Sequence, residues 1–180
     1  YLFYKLKKSK PSSQNSIHPC NPHLDQISAE RRSSQIQSSV TYNLYLNLKK
    51  GTTYSGKVKI YFKSKCTEDI FLDFEATKVN SITINGVKIV DISKIFNGFF
   101  IDIHKDTLTA TSNNLVEIQF ENSYRNDGSG LHSYIDTDGK QYLYSQGEPY
   151  HIHKMFPCFD QPDIKGSLSL EATSPDDWVV

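Results

Sequence analysis

The chain has 180 residues, enough for one domain with a tail and too few for two full-sized domains. Twenty Lys and Arg against 20 Asp and Glu give a formal net charge of zero, which excludes a broadly basic nucleic-acid coat and an acidic tail protein as starting points. Hydrophobic residues at 37% and aromatic residues at 12% supply a core, while no apolar run approaches the ~20 residues needed to span a bilayer.

Residues 1–38 are dominated by Lys, Ser, Gln, Asn and Pro without periodicity, and read as a flexible N-terminal segment. Within it His18, Cys20 and His23 are potential metal ligands. Pro19 and Pro22 interrupt them, and no scaffold supports a metal site, so a loop is expected. Cys20, Cys66 and Cys158 are widely spaced with no CxxC pair, the pattern of reduced thiols rather than of a disulfide framework. No Asn is followed two positions later by Ser or Thr, so no N-glycosylation acceptor exists. A cytoplasmic location is the expectation. The start at Tyr1 and the apolar end Trp178-Val179-Val180 read as cut ends, so the chain is expected to be a piece of a longer one.

From residue 39 to 180 the pattern is that of a β domain. Val40, Tyr42, Leu44, Leu46 and Leu48 alternate with polar residues and Tyr45, the period of a strand with one buried face. After the Gly51–Gly56 turn, Val58, Ile60 and Phe62 alternate with Lys57, Lys59, Tyr61 and Lys63 in a second strand with a solvated lysine face. Ile70–Phe74 reads as a third strand. Ile82 and Ile84 before Asn85-Gly86, with Val87 and Ile89 after it, predict a hairpin on a type I′ turn. Phe99–Ile103 and Leu115–Phe120 are expected to pair with each other. Tyr134–Asp136 and Gln141–Ser145 flank Asp138-Gly139 as a further hairpin, and Ser167–Thr173 resumes alternation. No stretch carries a convincing helical period. The expected class is all-β, with about eight or nine strands by the alternation count.

The segment from Gly128 to Gly166 adds chemistry. Gln146 and Glu148 stand two apart at the end of a predicted strand, so extended backbone sends both side chains from one face. Pro149 disfavours helical geometry at Glu148, and Gly147 leaves space between the pair. An amide beside a carboxylate suits a cation such as an amine. Phe156-Pro157-Cys158-Phe159-Asp160-Gln161-Pro162 reads as a rigid aromatic corner that positions the preceding loop. His151 and His153 lack third and fourth ligands for a metal, and Asp136, Asp138 and Gly139 lack the Glu and the length of a calcium loop.

Val40–Leu44, Tyr54-Ser55-Gly56, Asp127-Gly128-Ser129-Gly130-Leu131-His132, Tyr142–Pro149 and Phe156–Asp163 together resemble the N-terminal domain of the M1 zinc aminopeptidases, most closely the aminopeptidase N branch. The likeness runs from about Val40 to Val180. It implies a saddle-shaped antiparallel, sandwich-like β domain packed against a thermolysin-like zinc catalytic domain. It also implies that Glu148 binds the free α-ammonium of a peptide substrate and that Gln146 lines the pocket for its first side chain. Relatives similar to leukotriene A4 hydrolase tend to carry Gln at the position of Glu148. Gln161, where many members have Glu, is a mild departure.

No His-Glu-x-x-His and no Gly-x-Met-Glu-Asn occurs in the chain, so the zinc ligands and general base of that family are not among these residues. The resemblance therefore implies a zinc aminopeptidase only for a longer polypeptide, with Zn2+ held outside this chain. The alternative is a non-catalytic M1-like domain that serves as a protein-binding scaffold. Nucleic-acid binding would rest on the Lys-rich start and Lys57, Lys59, Lys63 and Lys65 alone, and net neutrality argues against it.

Overall fold

The structure is a computed structural model that describes residues 26–179. One helix, α1 (Gln26–Gln35), precedes ten strands: β1 (Val40–Asn47), β2 (Thr53–Phe62), β3 (Ile70–Asp73), β4 (Lys78–Ile84), β5 (Val87–Lys88), β6 (Phe100–Ile103), β7 (Asn114–Ser123), β8 (Gly130–Ile135), β9 (Gln141–Gln146) and β10 (Gly166–Thr173). The all-β class holds.

Six strands form the main sheet in the order β10-β1-β2-β7-β4-β5. Only β10 and β1 run parallel in it; the other neighbours are antiparallel. Strands β3 and β6 make a small second sheet, and β8 and β9 a hairpin of their own. The alternation read from sequence is the alternation of burial. Val40, Tyr42, Leu44 and Leu46 of β1 face the same core as Val58, Ile60 and Phe62 of β2 and Val116, Ile118 and Phe120 of β7. Ile70 and Leu72 of β3 and Ile101 and Ile103 of β6 join that core, so the small sheet covers part of the large one. Asn85 and Gly86 both have positive φ, at 49° and 84°, as the type I′ turn requires.

Three expectations are corrected. The stretch 99–103 does not pair with 115–120: β6 pairs with β3, while β7 lies between β2 and β4. Alternation records which face is buried and carries no information about the partner. Within the segment expected to be flexible, Gln26–Gln35 is helical and its Arg32 is buried. The His18–His23 segment and Cys20 lie outside the described residues. Finally, β10 has the predicted alternation, but every residue of it is exposed, Leu168 and Leu170 at 51% and 53%.

Candidate functional site

The hairpin β8–β9 delivers the site. Strand β9 ends at Gln146, and the chain turns at Glu148 rather than staying extended. The backbone N–H of His151 donates to the Gly147 carbonyl at 2.8 Å and closes that turn, which passes into a short 3-10 turn over Ile152–Lys154. Gln146 and Glu148 are both exposed. The Gln146 Nε2 donates to the Glu148 backbone carbonyl at 3.3 Å, so the amide folds back over the turn instead of standing parallel to the carboxylate. The peptide bond between Glu148 and Pro149 is cis.

Glu148 stands on the rim of an open groove of about 430 Å³. Gly147, Glu148 and Pro149 form one wall; Phe159, Asp160, Gln161 and Pro162 form the other. The two most distinctive stretches of the sequence thus face each other across one depression.

Beneath the groove lies a buried polar network centred on Asp73, at the end of β3. Its Oδ1 accepts from the Tyr150 hydroxyl at 2.8 Å. Its Oδ2 accepts from Arg32 Nη1 at 2.7 Å and from the Asp160 backbone N–H at 2.9 Å. Backbone bonds in both directions between Asp73 and Cys158 fasten the aromatic corner to β3. His153 Nδ1 lies 2.7 Å from the Asp160 Oδ2, which also accepts the His153 backbone N–H at 3.1 Å. The Tyr150 and His153 rings overlap with centroids 4.3 Å apart. Arg32 Nε donates to Gln161 Oε1 at 3.0 Å, and Gln161 Nε2 returns a bond to the Ala29 carbonyl at 3.0 Å. The guanidinium also lies over the Phe71 ring, 4.3 Å from its centroid. Phe62 and Tyr42 hold the corner from the main sheet, through an edge contact to Phe159 and a hydroxyl that accepts the Phe159 N–H at 3.1 Å.

The other motif, Asp127–His132, props the far side of the loop. Gly130 has φ +59°, and a Cβ there would sit 2.8 Å from the Cβ of Lys154, so only glycine fits at this crossing. Lys154 Nζ donates to Ser129 Oγ at 3.0 Å and lies 3.8 Å from Asp127. The Arg125 guanidinium, hydrogen-bonded to Asp127 at 3.0 Å, holds that carboxyl well below the usual carboxylate range, with the Ser129 hydroxyl assisting. From the core, Asn122 Nδ2 donates to the Lys154 carbonyl and the Tyr54 hydroxyl to the Met155 carbonyl.

The aromatic corner does position the loop, as its sequence predicts. His153 is a buried structural partner of Asp160, and His132 Nδ1 accepts the Gly128 N–H at 2.9 Å. Among the described residues no group of three or more His, Cys, Asp or Glu is arranged to hold a metal ion. Sequence reasoning missed Arg32, Asp73 and Tyr150. Asp73 stands 41 residues from Arg32 and 77 from Tyr150, with no local signal that joins them.

Residues 38–180 match the peptidase M1 N-terminal domain family model. The chain is 28% identical over 145 residues to aminopeptidase N of Streptomyces lividans, covering 78% of this chain and 16% of that protein. It is 28% identical over 164 residues to leucine aminopeptidase 2 of Saccharomyces cerevisiae, covering 85% of this chain and 21% of that protein. It therefore spans about a fifth of the length of such relatives. Its fold matches an M1 zinc metallopeptidase of Deinococcus radiodurans with a TM-score of 0.58 at 18% identity, over 78% of this chain and 34% of the other. It matches the yeast LTA4 hydrolase at 0.61 and 24%, over 77% of this chain and 23% of the other. With the groove, the corner and the sheet order all found in a stretch that the family model matches from residue 38 onward, this chain belongs to the peptidase M1 N-terminal domain family.

Proposed function

We propose that this chain is the N-terminal domain of a zinc metallo-aminopeptidase and that Glu148 anchors the free α-ammonium of the peptide substrate. The observation that carries this reading is the exposed Glu148 on the rim of a groove, with the turn that bears it and the opposite wall both hydrogen-bonded to the buried Asp73. A carboxylate beside an open groove favours a chain terminus over an internal peptide bond, which offers it no charge. Gln146 ends β9 next to that wall; its amide braces the turn through the Glu148 carbonyl, and in this reading it lines the pocket for the first side chain of the substrate. Nothing among the described residues fits a zinc ion, so the zinc and the hydrolytic groups are assigned to a thermolysin-like domain elsewhere in the polypeptide. The unpaired Cys66 and Cys158 fit a cytosolic setting.

The test uses the full-length polypeptide. Glu148→Gln removes a charge-assisted contact of about 1.5–3 kcal/mol, so kcat/KM on unblocked peptides should fall roughly 10- to 150-fold. Cleavage of N-acetylated peptides as fast as unblocked ones would overturn the reading. The second reading, a non-catalytic protein-binding scaffold, draws on the exposed Tyr142, Tyr144, Leu168 and Leu170. A stable full-length protein that purifies without metal would favour it.

A further inference from the structure

We propose that Arg32, on the helix that precedes the family-matched residues, is a positioning residue for the amine site, acting through Asp73, Tyr150 and Gln161. The proposal rests on the reading of Glu148 given above and deepens it.

Arg32 is 1% exposed, and Asp73, its partner at 2.7 Å, is fully buried. A charge pair so placed is held in one geometry, because displacing either member leaves the other in a low-dielectric interior. From this fixed point two connections rise to the groove. The first runs from Asp73 Oδ1 to the Tyr150 hydroxyl at 2.8 Å, and Tyr150 lies two residues beyond Glu148 in the turn that carries it. The second reaches the opposite wall twice, from Asp73 Oδ2 to the Asp160 N–H and from Arg32 Nε to Gln161 Oε1. Gln161 is in turn bonded to the Ala29 carbonyl of α1, so the helix and the far wall hold each other reciprocally. The turn that carries Glu148 and the opposite wall are therefore both tied to one guanidinium–carboxylate pair. Arg32 and Ala29 lie upstream of residues 38–180, the stretch that the family model matches.

The experiment compares two competitive inhibitors of the full-length enzyme, leucine hydroxamate and its des-amino analogue 4-methylpentanohydroxamate. The ratio of their inhibition constants measures how well the amine is gripped. The variants are Arg32→Met, Arg32→Lys, Tyr150→Phe and Glu148→Gln. A displacement of the order of 1 Å in the carboxylate should reduce the amine preference about 10- to 100-fold in Arg32→Met and Tyr150→Phe, with binding of the des-amino compound unchanged. Arg32→Lys still reaches Asp73 but loses the bond to Gln161, and should fall between the wild type and Arg32→Met. If Arg32→Met does not fold, Tyr150→Phe, which keeps the ring, decides the matter.

An undiminished preference in folded Arg32→Met or Tyr150→Phe, with Glu148→Gln losing it, overturns the positioning role and leaves the amine anchor standing. Equal weakening of both inhibitors marks a merely structural role and also overturns it. A Glu148→Gln enzyme that keeps its preference overturns the anchor itself.

Discussion

Asp73 accepts hydrogen bonds from three segments that are distant in sequence, and its own backbone pairs with a fourth position, Cys158. Removing it strands the Arg32 guanidinium in the interior. Asp73→Ala should cost about 3–5 kcal/mol, read as a fall in the urea midpoint. The Cys158 thiol is pushed far up by burial, with the Asp160 and Asp73 carboxylates adding to the effect, so the native protein should leave it unalkylated at neutral pH while the half-buried Cys66 reacts. Alkylation of both cysteines at the same rate in the folded state would contradict this. Asp127 shows the sign for acid. Its folded carboxyl titrates below its unfolded counterpart, so its contribution is complete above the unfolded range near pH ~4 and is lost as pH falls further, through the folded value. Asp127→Asn should flatten the loss of stability as pH falls below about 4, where the unfolded carboxyl takes up a proton before the folded one. Of these residues Asp127, Cys158 and Asp160 sit in motifs visible along the chain, and Asp73 and Arg32 do not. Glu148 and Gln146 were legible because their neighbours are consecutive, whereas the pair of Arg32 and Asp73 exists only after folding.

At the scale of elements, the strands were readable because burial in a sheet repeats every second residue and the apolar residues follow it. The helix was not. Its sequence, Gln-Ile-Ser-Ala-Glu-Arg-Arg-Ser-Ser-Gln, offers no apolar stripe, and what docks it is the buried Arg32 with Gln35, whose Oε1 accepts from Thr67. A charged side chain used as an anchor is invisible to any search for hydrophobic periodicity. Strand pairing failed for a related reason: β6 and β7 each alternate, and neither pattern names its neighbour. The sheet itself carries a sharp constraint at Gly56 of β2. A Cβ there would lie 2.5 Å from Phe120 Cζ and 3.0 Å from Leu46 Cδ2. Gly56→Ala should destabilise by about 1–3 kcal/mol, measured by chemical denaturation, because the aromatic ring has to leave its rotamer.

Across the whole molecule the core is complete on the side of β4 and open at β10. Leu168 and Leu170 stand in register with the buried Tyr42 and Leu44 of β1 and continue the same apolar face, yet both are half exposed. The 180-residue chain studied alone should self-associate through this face, and Leu170→Lys should shift it toward monomer in sedimentation velocity. A strictly monomeric wild-type chain at high concentration would contradict that expectation. The brace under the groove bears on how such proteins are cut for study. A recombinant piece begun at residue 38, where the family model's match starts, would keep every strand and discard the cation that neutralises Asp73. Such a piece could look intact by circular dichroism and still have lost the grip on a peptide's first residue, so a boundary drawn from likeness alone would report on the wrong molecule.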